Sequence, residues 1–364
     1  MKRLVVNKAD LIENINKIKE HAKNTKVIAM VKGNGYGLGI GEFSSLLYEN
    51  GIRDFSVCLP EEAIAVKEAV CDANVMLLTP VCDIEKAEEL IKKGIVLTVS
   101  SDESASVLGV VSKKLDEIIK YQLAVDTGFG RFGYLYTKPE DAAKAVLSLE
   151  NCELVGTFSH FSDSFSKSVK NTKAQFNRFM AFVLDLNKRE IDTKLLHISN
   201  SSAFLKYPDM HLDAVRVGSA FLGRIIGENC LHLKRIAHLE SEIIETKILP
   251  KGYNIGYANT YTTKRETKIA VVPVGYMDGF GVIKANDTFR FLDCVRYAIN
   301  DMLSLIKDKK VYARINGKKC PILGRVSMFN VVVDITDITA YTGDKVSFEI
   351  NPILIDKSIK REYR

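Results

Sequence analysis

VIAMVKGNGYGLG, residues 27–39, is the stretch from which the rest of the chain can be read. The apolar run Val27 to Val31 has the composition of a strand buried on both faces. It ends in Lys32, followed by a glycine-rich turn whose residues can take positive φ and approach a ligand closely. The sequence thus delivers a lysine to the mouth of a strand, beside a loop suited to an anion. Desolvation in such a place favours the neutral amine, which is the nucleophilic form. The glycines match neither phosphate fingerprint: no Lys-Ser or Lys-Thr pair follows them, and their spacing is not G-x-G-x-x-G. An exposed lysine in an ordinary βα loop is the plain alternative.

Working outward, a regular alternation appears. A short strand, Leu4 to Val6, precedes an amphipathic helix from Ala9 to Ala22. After VIAMV come seven more apolar segments, FSVCL, VMLLT, IVLTVS, YQLAVD, LVGTFSH, LLHISN and AVRVG, each separated from the next by a helical pattern. Proline opens PEEAIAVKEAV and glycine closes DIEKAEELIKKG, as helix ends prefer. Eight strands alternating with helices fit a (β/α)8 TIM-type barrel, and a doubly wound sheet is the alternative. A barrel places its chemistry at the C-terminal strand ends. Lys32 ends strand 1, Asp126 and Arg131 lie at and beyond strand 5, and His160 ends strand 6. Asn200 and Ser201 follow strand 7, while Arg216 and Gly218 lie in and after strand 8.

From about residue 233 the pattern changes to alternating strands, among them SEIIETKIL, KIAVVPV, KVYARI and NVVVDIT. The expected organisation is therefore a barrel over 1–232 and a mostly-β domain over 233–364. Residues 1–8 are expected to supply a strand to the second domain. A helical, amphipathic stretch near 281–308 interrupts that domain.

The chain has 364 residues, 46% apolar and 26% charged, which is ordinary for a globular protein with a large core. A net charge of +6 from scattered lysines, without interleaved aromatics, argues against nucleic acid as a partner. The terminal KSIKREYR is basic but short. Seven dispersed cysteines form no C-x-x-C and no metal spacing, so no metal is expected, and they read as reduced thiols of a cytoplasmic protein. The N-terminal apolar stretch is too short for a signal h-region, and no segment is long enough for a membrane span.

The motifs AMVKGNGYGLG, VDTGFGRFG, GTFSHFS, HISNSSAF, AVRVGSAFLG, YANTYT, VGYMDG and LGRVSM, in this order over nearly the whole chain, resemble those of the alanine racemase family. These are fold-type III enzymes that use pyridoxal 5'-phosphate (PLP). The resemblance implies that Lys32 forms the Schiff base with PLP and serves as one catalytic base. It implies that Tyr261, contributed by the partner subunit of a homodimer, is the second base on the opposite face of the substrate Cα. A free tyrosine titrates near about 10, so it needs a positive neighbour to act near neutrality. Arg216 matches the arginine at the PLP pyridine nitrogen. Being protonated, it gives that nitrogen no proton, which favours racemisation over transamination. His160 matches the residue packed against the PLP ring. Tyr36, Ser201, Gly218 and Ser219 match phosphate contacts, with Asn200 shaping their loop. Arg131 matches an arginine near the substrate carboxylate. Tyr257, Tyr276 and Met328 match positions lining the substrate end, and Lys357 stands where the family places a phosphate-binding tyrosine.

Three departures stand out. Many relatives carry a carbamylated lysine two residues before the aspartate of D-T-G, where this chain has Ala124. The acid that usually follows G-R-V-S-M is Phe329. The stretch 281–308 reads as an insertion. The expected activity is PLP-dependent racemisation of a small amino acid, L-alanine and D-alanine first. Serine or a broader set is the alternative substrate, and a PLP-binding protein without catalysis is the alternative function.

Overall fold

A computed structural model describes residues 1–283, 285–306 and 311–364. Two compact units emerge, Lys8–Ile236 and, separately, Met1–Asn7 together with Ala237–Arg364.

In the first unit the βα alternation closes on itself. Among the described residues, eight parallel strands run in chain order around a barrel: Lys26–Met30, Asp54–Val57, Asn74–Leu77, Ile95–Val99, Ile119–Asp126, Cys152–Phe158, Leu195–His197 and Ala214–Val217. The last pairs with the first, Val215 opposite Val27 and Arg216 opposite Ile28, which closes the ring. Burial of both strand faces explains the unbroken apolar runs: Ile28, Ala29, Phe55, Val57, Val75 and Leu77 are all fully buried. The intervening helices lay their apolar stripes on the outside of the barrel. The helix Asp102–Leu115 starts on a capping box from Ser101 and Ser104, and the helix Ile84–Lys92 starts on Asp83, which accepts the Lys86 N–H. Every C-terminal strand end opens on one mouth.

The second unit is built on a nine-stranded sheet among the described residues, mostly antiparallel. Strand Arg3–Val6 belongs here, pairing antiparallel with Ala237–Glu242 and parallel with Lys360–Tyr363. Its core gathers Leu4, Leu239, Val272, Val333, Val346 and Phe348. The segment SEIIETKIL, expected as one strand, is two: Ala237–Glu242 and Glu245–Leu249 lie far apart in the strand order. Consecutive isoleucines at 243 and 244 cannot both face one side of a strand; Ile243 turns into the core and Ile244 is half exposed. The expected helical insertion is the helix Phe291–Ile306, while residues 284, 307 and 308 of that stretch lie outside the described residues. Among the described residues no helix is long and apolar enough to cross a membrane, and no group of three or more His, Cys, Asp or Glu side chains is placed to hold a metal ion.

Candidate active site

Lys32 leaves the first barrel strand into a rare piece of backbone. Gly33, Asn34, Gly35 and Tyr36 all have φ between 54° and 64°, so the chain makes a left-handed helical turn. The turn is hydrogen-bonded as a helix would be, Gly35 N–H to Val31 O at 2.9 Å and Gly37 N–H to Gly33 O at 2.9 Å. Glycine enters this region freely, but asparagine and tyrosine do so at about 1–2 kcal/mol each. The surroundings hold them there. The Asn34 N–H donates to Glu62 Oε1 at 3.0 Å, and Asn34 Oδ1 accepts the Ile40 N–H at 3.0 Å. The turn lays the Tyr36 ring on Gly218, where a Cβ would come within 2.7 Å of the ring carbons, so only glycine fits. Burial, then Cys58 and Glu62, push the Tyr36 phenol up, and its hydroxyl stays protonated as a donor.

Arg216, 2% exposed, projects from the last barrel strand into a polar cage. Nη1 donates to His197 Nδ1 and to the His197 carbonyl at 3.2 Å. Nη2 donates to the Ser159 carbonyl and to His160 Nδ1 at 3.2 Å. Since a guanidinium only donates, His197 Nδ1 carries no proton and its Nε2–H donates to Gln122 Oε1 at 3.1 Å. Burial, with Arg216 beside it, holds His197 well below the usual imidazole range. Burial lowers His160 likewise, helped by Arg216, Lys32 and Arg131. Both rings are neutral at pH 7. Burial also pulls Arg216 down to about 9, which leaves it charged at neutrality. Its Nε is buried with no protein acceptor.

Lys32, Tyr36, His160, Asn200, Ser201, Arg216, Gly218 and Ser219 line one cavity of about 220 Å³. The Gly218 N–H donates to Ser201 Oγ at 2.9 Å, and Asn200 caps the helix Ser201–Lys206 by accepting the Ala203 N–H.

Arg131 lines an adjacent small cavity with Ala124, His160 and Arg216. Its loop is tied by Asp126, whose carboxylate accepts the N–H groups of Gly128, Phe129 and Gly130 at 2.8–3.1 Å. The Arg131 guanidinium lies 4.4 Å from the centre of the Phe129 ring and 5.5 Å from that of Phe132. The edge of His160 meets Phe129 as well, with centroids 5.2 Å apart. Ala124 offers this arginine no polar partner, and its nearest ring neighbours are the faces of Phe129 and Phe132.

In the second unit Tyr257, Tyr276, Met328 and Phe329 share a separate open cavity of about 500 Å³ with Arg325. Their backbone is stapled: Tyr276 N–H donates to Ser327 O at 3.1 Å and Met277 N–H to Met328 O at 3.2 Å. Tyr261 lies on the hairpin opposite Ile255 and packs on Leu249, Ile269 and Leu323, outside that cavity's lining. Lys357 is exposed after Pro352–Leu354 and lines neither cavity. Two further residues of the barrel unit were not singled out from sequence. Gln122 is a polar residue inside a buried apolar strand, which is a readable signal. Glu62 looked like any helix-start glutamate.

A family model described as the alanine racemase N-terminal domain matches residues 6–225, and one for the alanine racemase C-terminal domain matches 236–351. The alanine racemase of Clostridium tetani is 32% identical over 344 residues, covering 92% of this chain and 82% of that protein. The solved alanine racemase of Clostridium difficile 630 superposes with a TM-score of 0.87 at 25% identity, over 100% of this chain and 95% of that one. The alanine racemase of Bartonella henselae with covalently bound pyridoxal phosphate shares the fold at a TM-score of 0.82 and 23% identity, over 100% and 99% of the two chains. With both family models in register along the chain, and the barrel and β unit that they describe, this protein belongs to the alanine racemase family of isomerases.

Proposed function

We propose that this enzyme interconverts L-alanine and D-alanine with PLP as cofactor, in a homodimer whose subunits each complete the other's site. The observation that carries the reading is the shared cavity: a lysine, a phenol laid on a bare glycine, hydroxyls of Ser201 and Ser219, and a buried arginine with one orphaned N–H. These groups fit PLP. Lys32 is the attachment point, and Tyr36, Ser201, Gly218 and Ser219 take the phosphate. Arg216, with its orphaned Nε, would serve the pyridine nitrogen, and His160 would line the ring side of the cavity. Asn200 would fix the loop, and Lys357, exposed in the second unit, is the cation that the resemblance offers for the phosphate.

Bound PLP supplies an electron-withdrawing ring in conjugation with the substrate Cα. The chain's own part is proton transfer. Lys32 Nζ would remove or return the α-proton on one face. The Tyr261 hydroxyl of the partner subunit does so on the other. Arg216 already donates to two neutral histidines and three carbonyls, so it would hold its proton throughout. Arg131 faces the substrate carboxylate, and Tyr257, Tyr276 and Met328 close the substrate end.

The test is solvent-proton exchange. The PLP-loaded protein is offered each L- and D-amino acid in D2O, following loss of the α-proton signal and appearance of the other enantiomer. Exchange with inversion of alanine is expected. Exchange with serine but not alanine would reassign the substrate, and bound PLP without exchange of any amino acid would leave a binding protein.

A further inference from the structure

We infer that Glu62 is a positioning residue for Lys32 and Tyr36, its carboxylate clamping the left-handed turn that carries both. The inference rests on the PLP-racemase reading above. Glu62 sits in the first turn of the helix Pro60–Ala69, where the helix end favours its charge. It is 9% exposed. One oxygen takes the Asn34 N–H at 3.0 Å, and the other, Oε2, is buried with no partner.

That arrangement has a reason within the turn. The N–H groups of Gly35, Gly37, Leu38 and Gly39 all find acceptors between Val31 and Gly35. The Asn34 N–H does not, and Asn34 is the first non-glycine residue forced to positive φ. Glu62 satisfies this one donor from outside. A buried carboxylate is costly to keep, and its only described hydrogen bond is to the turn. Without it the orphaned N–H favours any backbone rotation that reaches another acceptor. Such a rotation takes Asn34 out of the left-handed region, lifts Tyr36 off Gly218 and swings Lys32, the residue just before the turn.

The experiment compares Glu62→Leu, Glu62→Gln and Glu62→Asp with the wild type. It measures the PLP dissociation constant, the pH titration of the visible absorbance of the PLP–lysine linkage, and racemisation. Glu62→Leu is expected to raise the dissociation constant at least about 10-fold, as loss of a charge-assisted hydrogen bond would, and to move the absorbance titration. Glu62→Gln keeps an oxygen for the Asn34 N–H and is expected within about 3-fold of wild type on the same scale. Glu62→Asp is one methylene short and falls between, which keeps the test alive if Glu62→Leu does not fold. A folded Glu62→Leu with wild-type PLP affinity and titration would overturn the clamp, as would Glu62→Gln as damaged as Glu62→Leu. Wild type that holds no PLP would instead sink the proposed function.

Discussion

The two units carry their functional side chains in opposite ways. At the barrel mouth Arg216 is 2% exposed and both terminal nitrogens are engaged. In the β unit Tyr257 is 72%, Phe329 51% and Tyr276 45% exposed. The first set is fixed by hydrogen bonds before any ligand arrives, and the second is fixed only at the backbone, by the bonds between 276–277 and 327–328. The difference teaches where each kind of substitution will register. Changes at the barrel mouth should affect chemistry and stability together, and changes at these exposed side chains of the β unit should affect chemistry alone.

The sharpest way to break that comparison is Lys32→Ala, expected to lower racemisation by at least about 10⁴-fold, by chiral analysis of product, because attachment and one base go together. Next is Tyr261→Phe, expected to cost about 10²–10⁴-fold in rate while PLP absorbance and the unfolding midpoint stay put; an undiminished rate removes Tyr261 as second base. Gln122→Leu leaves the His197 Nε2–H buried without its acceptor and should cost about 1–3 kcal/mol by urea unfolding. A β-unit substitution of equal size would erase the contrast.

Acid should act on the barrel as well. His160 and His197 are held below the ordinary imidazole range in the folded protein. Above about pH 6.5 both are neutral folded or unfolded, and they contribute no pH dependence. Below it the unfolded chain takes up protons that the folded one refuses. Stability should therefore fall on acidification, by up to about 1.4 kcal/mol per pH unit for each histidine, read from urea midpoints at pH 7.5, 6 and 5. The smallest effect expected is Arg364→Ala in the β unit. Its bidentate pair with Glu240, at 3.1 Å for both bonds, is partly exposed and Glu240 keeps Arg3 at 3.0 Å, so the urea midpoint should fall only slightly.

Much of this was readable in the chain because burial on two faces leaves a strong trace. The eight barrel strands announce themselves as apolar runs, and Lys32, His160, Asn200 and Arg216 are polar residues at or near the ends of such runs. The β unit was harder. Ile243 and Ile244 look like strand interior but mark the break between two strands. The left-handed turn was foreshadowed by glycines at 33, 35, 37 and 39, yet nothing in the sequence says that Asn34 and Tyr36 share its conformation. Glu62 was invisible because its meaning is a single long-range hydrogen bond. Ala124 showed that Arg131 lacks one kind of support, but that Phe129 and Phe132 replace it depends on how the loop folds around Asp126.

That replacement reaches beyond the site. The family resemblance implies that many relatives set a carbamylated lysine beside the counterpart of Arg131, an adduct made from dissolved carbon dioxide and undone by acid. Ala124 has no amine to carbamylate, and the rings of Phe129 and Phe132 neither form nor shed such an adduct. Support for Arg131 that needs no dissolved gas predicts that degassed buffer leaves the racemisation rate where it was.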